Sequence, residues 1–372
     1  MENRGKKITR RVFARQGSLA VAAGMASPLP LGAMKPAPGD RLAMFQELGA
    51  RGVVCMICPN ECVLQEGELS DCRNRIVRKS KLYTMAFGNP CAATTDPVEK
   101  KPLYHFLPGS SAFSIATAGC NFACLNCQNW TISQTSPDKT KNFDMPPENV
   151  VERAISAGCR SVAYTYSEPV TFYEYVLETS KLARQEGLKN IMVSNGYIKE
   201  QPLRQLCKYI DAANIDLKSF SESTYLKLNG GKLQPVLDAL KIYRDEGVWL
   251  EITNLVVPGW NDKPDEIRQM CRWLAGNGFS DTPLHFSRFH PQYKLEHLPP
   301  TPAGILTKAV EIARGEGLKY VYLGNMPGAG FDDTPCPSCG EKVVDRSGFR
   351  IVTNKINKGK CTCGTVIPGV WS

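Results

Sequence analysis

The sequence predicts an α/β fold: a partial parallel (β/α) barrel with a small cysteine-rich module at each end. A recurring unit carries the barrel prediction. A polar-apolar helical stretch ends in Gly, and a short β-rich run follows. Gly158 precedes 160–166, Gly187 precedes 190–194, Gly247 precedes 248–253 and Gly317 precedes 320–323. Glycine suits these helix ends because it takes the left-handed conformation without a Cβ clash. Successive glycines lie 29, 60 and 70 residues apart, and the longer gaps each hold a further strand candidate, 212–217 and 284–289. The period is therefore about 30 residues, the size of a βαβ unit. With a first strand at 113–117, about seven strands alternate with helices, and chemistry is expected at their C-terminal ends. A doubly wound open sheet is the alternative, but no GxGxxG turn opens it.

The 372 residues are 42% apolar and 22% charged. This excludes wholesale disorder, collagen and a polytopic membrane protein. Of the net charge of +9, residues 1–34 carry +5 (Arg4, Lys6, Lys7, Arg10, Arg11 and Arg15 against Glu2). The rest has no long basic run, so no nucleic-acid footprint is expected. The fifteen cysteines are an odd number, which counts against full disulfide pairing. Eleven fall in three clusters whose tight spacing, in a chain this long, reads as metal sites. Cys91, Cys159, Cys207 and Cys271 are scattered and read as small buried hydrophobes.

In chain order, residues 1–34 come first. Arg10-Arg11 precede an uncharged stretch from Gln16 to Met34, weakly apolar over 18–25. This resembles a twin-arginine export signal and predicts a periplasmic or other extracytoplasmic location. A disordered basic extension on a cytoplasmic protein is the plainer alternative. The segment is too weakly apolar for a membrane span. Residues 40–105 form the first cysteine-rich module, 106–326 the barrel, and 330–372, after the Gly-rich break at 327–330, the second module.

Gly119-Cys120-Asn121-Phe122-Ala123-Cys124-Leu125-Asn126-Cys127 follows directly on the first barrel strand. Three thiolates in one loop can bind three irons of a [4Fe–4S] cube and leave the fourth iron open to an external ligand. A structural zinc knuckle lacking a ligand is the rival reading. The triplet on such a barrel resembles the radical SAM superfamily, in which S-adenosylmethionine chelates the open iron. Reduction then gives a 5′-deoxyadenosyl radical. Further matches follow at successive strand ends. Tyr166-Ser167-Glu168-Pro169 resembles the stretch that binds the methionine amino group. Ser194-Asn195-Gly196 ends the third strand. Asp216-Leu217-Lys218 resembles the Asp-x-Lys pair that contacts ribose and carboxylate. A zwitterionic cofactor needs an acceptor for its ammonium, a cation for its carboxylate and a carboxylate for its ribose hydroxyls. The resemblance thus assigns Cys120, Cys124 and Cys127 to the cluster, and Ser167, Glu168, Asn195, Asp216 and Lys218 to the cofactor. Asn126 stands where the family usually has an aromatic residue near the adenine.

A narrower resemblance runs over about residues 50–372. Asp96-Pro97-Val98-Glu99-Lys100-Lys101-Pro102-Leu103-Tyr104-His105-Phe106 carries it, with Cys127-Gln128-Asn129-Trp130, Ile132-Ser133-Gln134 and the stretch from Leu255 to Asp262. Phe289-His290-Pro291-Gln292-Tyr293-Lys294 and the run from Gly317 to Asn325 add to it. These are similar to the AmmeMemoRadiSam-system radical SAM enzymes, themselves similar to pyruvate formate-lyase-activating enzymes. The resemblance implies hydrogen abstraction from an unidentified substrate, a reductant such as flavodoxin or ferredoxin, and a Memo-family partner. A glycyl-radical-enzyme activase and a non-enzymatic iron–sulfur electron-transfer or metal-chaperone protein are the rival functions.

Cys55, Cys58, Cys62 and Cys72 suit a zinc site or a second cluster. Cys336, Cys339, Cys361 and Cys363 resemble a zinc ribbon or rubredoxin knuckle pair, although the second knuckle is C-x-C and shortens the reach between thiolates. His105 reads as a general acid–base or a structural histidine, and His290 as facing the site. His285 and His297 have no special context. Lys100-Lys101 reads as an anion site or a solvated turn. Tyr164 and Tyr166, two apart on one strand, are expected to share a face lining the barrel interior.

Overall fold

The computed structural model describes residues 40–326, 328 and 330–372. The segment read as an export signal lies outside the described residues. The central sheet has eight strands: β1 (Ala92–Pro97), β2 (Ser111–Ala116), β3 (Ser161–Tyr164), β4 (Lys189–Ser194), β5 (Ala212–Asp216), β6 (Trp249–Val256), β7 (Leu284–Arg288) and β8 (Val321–Gly324). They lie side by side in chain order. All neighbours pair in parallel except β1, which runs antiparallel to β2. The sheet does not close: β1 and β8 are its two edges. Six helices follow β2 to β7 in turn: α1 (Pro147–Ser156), α2 (Tyr173–Gln185), α3 (Glu200–Cys207), α4 (Gln234–Asp245), α5 (Pro264–Gly276) and α6 (Ala303–Gly315). The seven parallel strands are those the glycine period predicts. Gly158 and Gly187 indeed stand at positive φ, +64° and +76°.

Strand β1 has no counterpart in the sequence reading, so the sheet starts before residue 106. Its run Ala92-Ala93-Thr94-Thr95 lacks the bulky apolar alternation that marks a strand.

Alternate strand residues face the helices and the interior, as the pleat requires. Val162, Tyr164, Met192, Ile215, Ile252 and Phe286 join helix residues such as Val150, Val176, Leu240 and Leu306 in the main core. Tyr164 therefore faces the helices, and its hydroxyl donates to Asn190 Oδ1 at 3.0 Å. It does not share an inner face with Tyr166, which lies beyond the strand at φ +66°. On the inner side Ala112, Ala163, Ile191 and Ala212 pack against Val98, Leu103, Phe106 and Leu107. The segment 98–107 thereby floors the barrel at the strand N-termini.

Beneath that floor lies a buried polar network. The Glu251 carboxylate accepts from the backbone N–H of Tyr104 (2.9 Å) and His105 (2.7 Å), and from Trp249 Nε1 (3.1 Å). It also contacts His285 Nε2 at 2.6 Å. His105 bridges Tyr322 Oη (2.6 Å) and the Pro368 carbonyl (2.7 Å). Burial pushes its imidazole down to about 4, so it sits neutral as a structural histidine. Arg346 of the C-terminal module donates to Thr334 Oγ1 (2.8 Å) and the Tyr104 carbonyl (2.6 Å). The conspicuous 96–106 motif is therefore a floor that ties the last module to the barrel.

The N-terminal module holds two three-stranded antiparallel sheets, Gln46–Gly49/Gly52–Cys55/Val63–Leu64 and Arg41–Leu42/Lys81–Thr84/Arg75–Arg78. Its buried Arg75 pairs with Glu174 on α2 at 2.9 Å. The C-terminal module is built on Thr334–Pro335, Lys342–Ser347 and Arg350–Asn354.

Candidate active site at the strand C-terminal ends

The cysteine triplet lies in the loop that leaves β2. Backbone bonds and the Asn121 side chain hold that loop. Ala123 and Leu125 donate their N–H to the carbonyls of Asn229 (2.8 Å) and Leu228 (2.9 Å). The 225–229 segment they join is a single π-helical turn (Tyr225–Asn229), a form frequent at functional sites. Gly231 is fixed by contact: a Cβ there would come within 2.2 Å of the Phe122 ring. Asn121 donates to the Tyr197 carbonyl (2.8 Å) and accepts from Asn195 Nδ2 (2.8 Å).

The three thiols receive polar contacts of their own. Phe122 N–H points at Cys120 Sγ (3.4 Å) and Asn229 Nδ2 at Cys124 Sγ (3.2 Å). Burial pushes all three thiols up, while Lys218 pulls Cys124 and Cys127 back down. The net shift stays upward, so metal binding would displace the proton from each thiol.

Each predicted cofactor residue stands at the adjoining strand ends. Glu168 is buried after β3. Its carboxylate accepts from Val170 N–H (3.1 Å), Ser194 Oγ (2.7 Å) and Asn195 N–H (2.8 Å). Burial nonetheless pushes it up to about 7. Lys218 Nζ lies 2.8 Å from Asp216 Oδ2. Burial alone would lower this ammonium, but Asp216 and Cys124 outweigh it and hold the group well above its usual value. Asn261 aims the pair by donating to the carbonyls of Lys218 (2.6 Å) and Leu255 (2.8 Å). The Asn195 side chain is engaged with Asn121 and with its own turn, accepting from Tyr197 N–H at 2.8 Å.

The motifs after the triplet prove to be braces. Asn129 donates to the Tyr166 carbonyl (2.7 Å) and Gln134 to the Phe122 carbonyl (3.2 Å). Trp130 stacks on Tyr293, with ring centroids 5.3 Å apart, and Lys294 N–H reaches the Leu125 carbonyl (3.1 Å). His290 and His297 are exposed. Lys101 is not a solvated turn residue: it is 1% exposed and pairs with Asp96 at 2.6 Å. Tyr166 donates its hydroxyl to the same carboxylate. Asn229, Asn121, Phe122 and Gly231 are the site residues the sequence reading missed. The Asn229-Gly230-Gly231 break was the signal available.

The flanking clusters differ. The sulfurs of Cys336, Cys339, Cys361 and Cys363 all lie within 4.8 Å of one another, the one such group of three or more metal-ligating side chains among the described residues. The C-x-C knuckle thus closes. Cys55, Cys58 and Cys72 are buried and Cys62 half-buried. All fifteen cysteines are free thiols. Cys159, Cys207 and Cys271 are buried and Cys91 is half-buried.

A half-open, mostly parallel sheet with a three-cysteine loop after its first parallel strand defines a class. A family model for the radical SAM superfamily matches residues 114–274, and the chain belongs to that superfamily as an enzyme. An uncharacterised protein of Methanocaldococcus jannaschii is 44% identical over 331 residues, 88% of this chain and 98% of that one. The pyruvate formate-lyase 1-activating enzyme of Escherichia coli is 23% identical over 218 residues, 55% of this chain and 89% of its own. A domain of a pyruvate-formate lyase-activating enzyme from Bacteroides vulgatus aligns at TM-score 0.40 and 15% identity, over 44% of this chain and 99% of that one.

Membership implies a [4Fe–4S] cluster and S-adenosylmethionine, and the residues present fit both. The donor set is three thiols beside Lys218. Ser167 Oγ and Asn126 Oδ1 are buried polar atoms with no hydrogen-bond partner among the described residues.

Proposed function

We propose that the enzyme binds a [4Fe–4S] cluster through Cys120, Cys124 and Cys127, and S-adenosylmethionine through the adjoining strand ends. Together these supply, when bound, a reductively generated 5′-deoxyadenosyl radical that abstracts hydrogen from a substrate. Glu168 and Ser167 take the methionine amino group. Lys218 and Asp216 meet the carboxylate and ribose. Asn195 holds the cluster loop and the cofactor side of the third strand. The observation that carries the reading is the three-thiol loop beside the Asp216–Lys218 pair, near a buried carboxylate to which no cation is hydrogen-bonded among the described residues.

The narrower reading follows the motifs: an AmmeMemoRadiSam-system enzyme, reduced by a flavodoxin or ferredoxin, working with a Memo-family partner, and exported through the twin-arginine signal at residues 1–34. Zinc would fill the C-terminal four-cysteine site. A glycyl-radical-enzyme activase is the second reading, favoured by the Asp216–Lys218 pair. Tyr166 argues against it. Its side chain runs to Asp96 under Lys101, where a Gly-Gly pair would leave room for a peptide loop.

The test is anaerobic reconstitution, reduction with dithionite and assay for 5′-deoxyadenosine. Formation that is lost in Cys124→Ala supports the reading. A full cluster without formation under strong reductant contradicts it.

A further inference from the structure

The four N-terminal cysteines sit against the catalytic loop. A Cβ on Gly119, the residue before Cys120, would lie 2.5 Å from the Cys72 carbonyl and 2.8 Å from the Asn74 side chain. Asn60, between Cys58 and Cys62, donates to the Asn121 carbonyl at 3.1 Å. Lys199 N–H reaches the Ile57 carbonyl at 2.9 Å. The module thus grips the triplet loop from both sides.

Sulfur spacing separates the clusters into two kinds. A single tetrahedral metal with bonds of about 2.3 Å needs sulfurs about 3.8 Å apart. Cys336–Cys363 and Cys339–Cys361, each at 3.7 Å, meet that distance. Neither the central three nor the N-terminal four form a group within 4.8 Å among the described residues. Any three sulfurs of either set therefore include a pair more than 4.8 Å apart, wider than one tetrahedral metal takes. The donors match as well. Ser70 Oγ lies 3.0 Å from Cys72 Sγ, a polar contact to sulfur like those that Cys120 and Cys124 receive. Hydrogen bonds to sulfur are a recurring feature of iron–sulfur sites and tune their potential. Buried Arg75 adds a positive charge beside Cys55 and Cys72.

We infer that Cys55, Cys58, Cys62 and Cys72 hold a second [4Fe–4S] cluster, fully ligated by protein, that passes electrons to the cluster at Cys120, Cys124 and Cys127. One electron enters from a reduced ferredoxin- or flavodoxin-class donor and moves on to the catalytic cluster. The second cluster then returns to its oxidised state, and no bond forms or breaks in the transfer. This role rests on the radical SAM reading; the metal assignment does not.

The test uses the full chain, reconstituted anaerobically with iron and sulfide. A Cys120→Ala/Cys124→Ala/Cys127→Ala variant should retain about four irons as a cube by Mössbauer spectroscopy. Its reduced electron paramagnetic resonance signal should not respond to S-adenosylmethionine. Zinc in place of a cube, or no metal at the four cysteines, overturns the assignment. A Cys58→Ala variant should lose that cube and keep the catalytic one, whose signal S-adenosylmethionine perturbs. Reduction of the catalytic cluster by flavodoxin, followed by stopped flow, should slow at least about tenfold in Cys58→Ala, and an unchanged rate overturns the relay. If S-adenosylmethionine perturbs no signal in the wild type, the radical SAM reading fails while the second cube stands or falls on the Mössbauer count.

Discussion

Two fully buried carboxylates stand at opposite ends of the same sheet, and they end up with opposite protonation behaviour. At the floor, burial would raise Glu251, but His285 and the Tyr104 N–H outweigh it and hold the carboxyl below its usual range. At the rim, Glu168 has three hydrogen bonds and stays raised, at about 7. The difference is a directly bonded imidazole, present at the floor and lacking at the rim among the described residues. Buried charge is tolerated where paired partners offset desolvation. The floor is therefore complete as protein. At the rim no cation is hydrogen-bonded to Glu168 among the described residues, and the amino group of the proposed cofactor would supply one.

This contrast predicts that damage to the two ends has different consequences. The largest effect belongs to the rim. Cys124→Ala should lower 5′-deoxyadenosine formation at least about a hundredfold while leaving the unfolding midpoint of the metal-free chain nearly unchanged, because the loop is anchored by backbone bonds to 228–229. A large loss of stability in that variant would break the distinction. At the floor, Glu251→Ala leaves two backbone N–H groups and His285 without their acceptor. It should cost on the order of 3–5 kcal/mol in denaturant unfolding.

His105 extends the floor argument to pH. Its folded value, about 4, lies below the ordinary 6.5. The group is neutral in the fold and takes up a proton on unfolding. Its contribution is intact above pH 6.5 and is lost as pH falls toward 4, on the order of 3 kcal/mol in all. Chemical denaturation at pH 7 and pH 4.5 should show the loss, and His105→Gln should reduce it. The smallest effect is expected between the two ends: Tyr164→Phe removes one buried hydroxyl bond to Asn190 and should cost about 1 kcal/mol.

What was legible in the sequence follows the same division. The glycine-punctuated period gave the seven parallel strands because each unit is local. The placement of the triplet, Glu168 and the Asp216–Lys218 pair was legible because each ends or follows a strand. The floor was not. Glu251 meets Tyr104 and His105 across nearly 150 residues, and no periodicity announces such a contact. Tyr166 misled for a related reason. Its left-handed backbone ends the alternation that a strand pattern assumes, and sends its hydroxyl to Asp96. The braces from Asn129, Gln134 and Lys294 were visible as motifs, but their purpose needed the loop they hold.

The most direct test of the central claim is proton linkage in cofactor binding. S-adenosylmethionine is titrated calorimetrically into the reconstituted wild type and into Glu168→Gln, at pH 6 and pH 8. If Glu168 must ionise from about 7 to receive the amino group, wild-type affinity should rise about tenfold more than the variant's over that interval. Parallel pH dependence in the two proteins would contradict the claim that the rim carboxylate is completed by the cofactor.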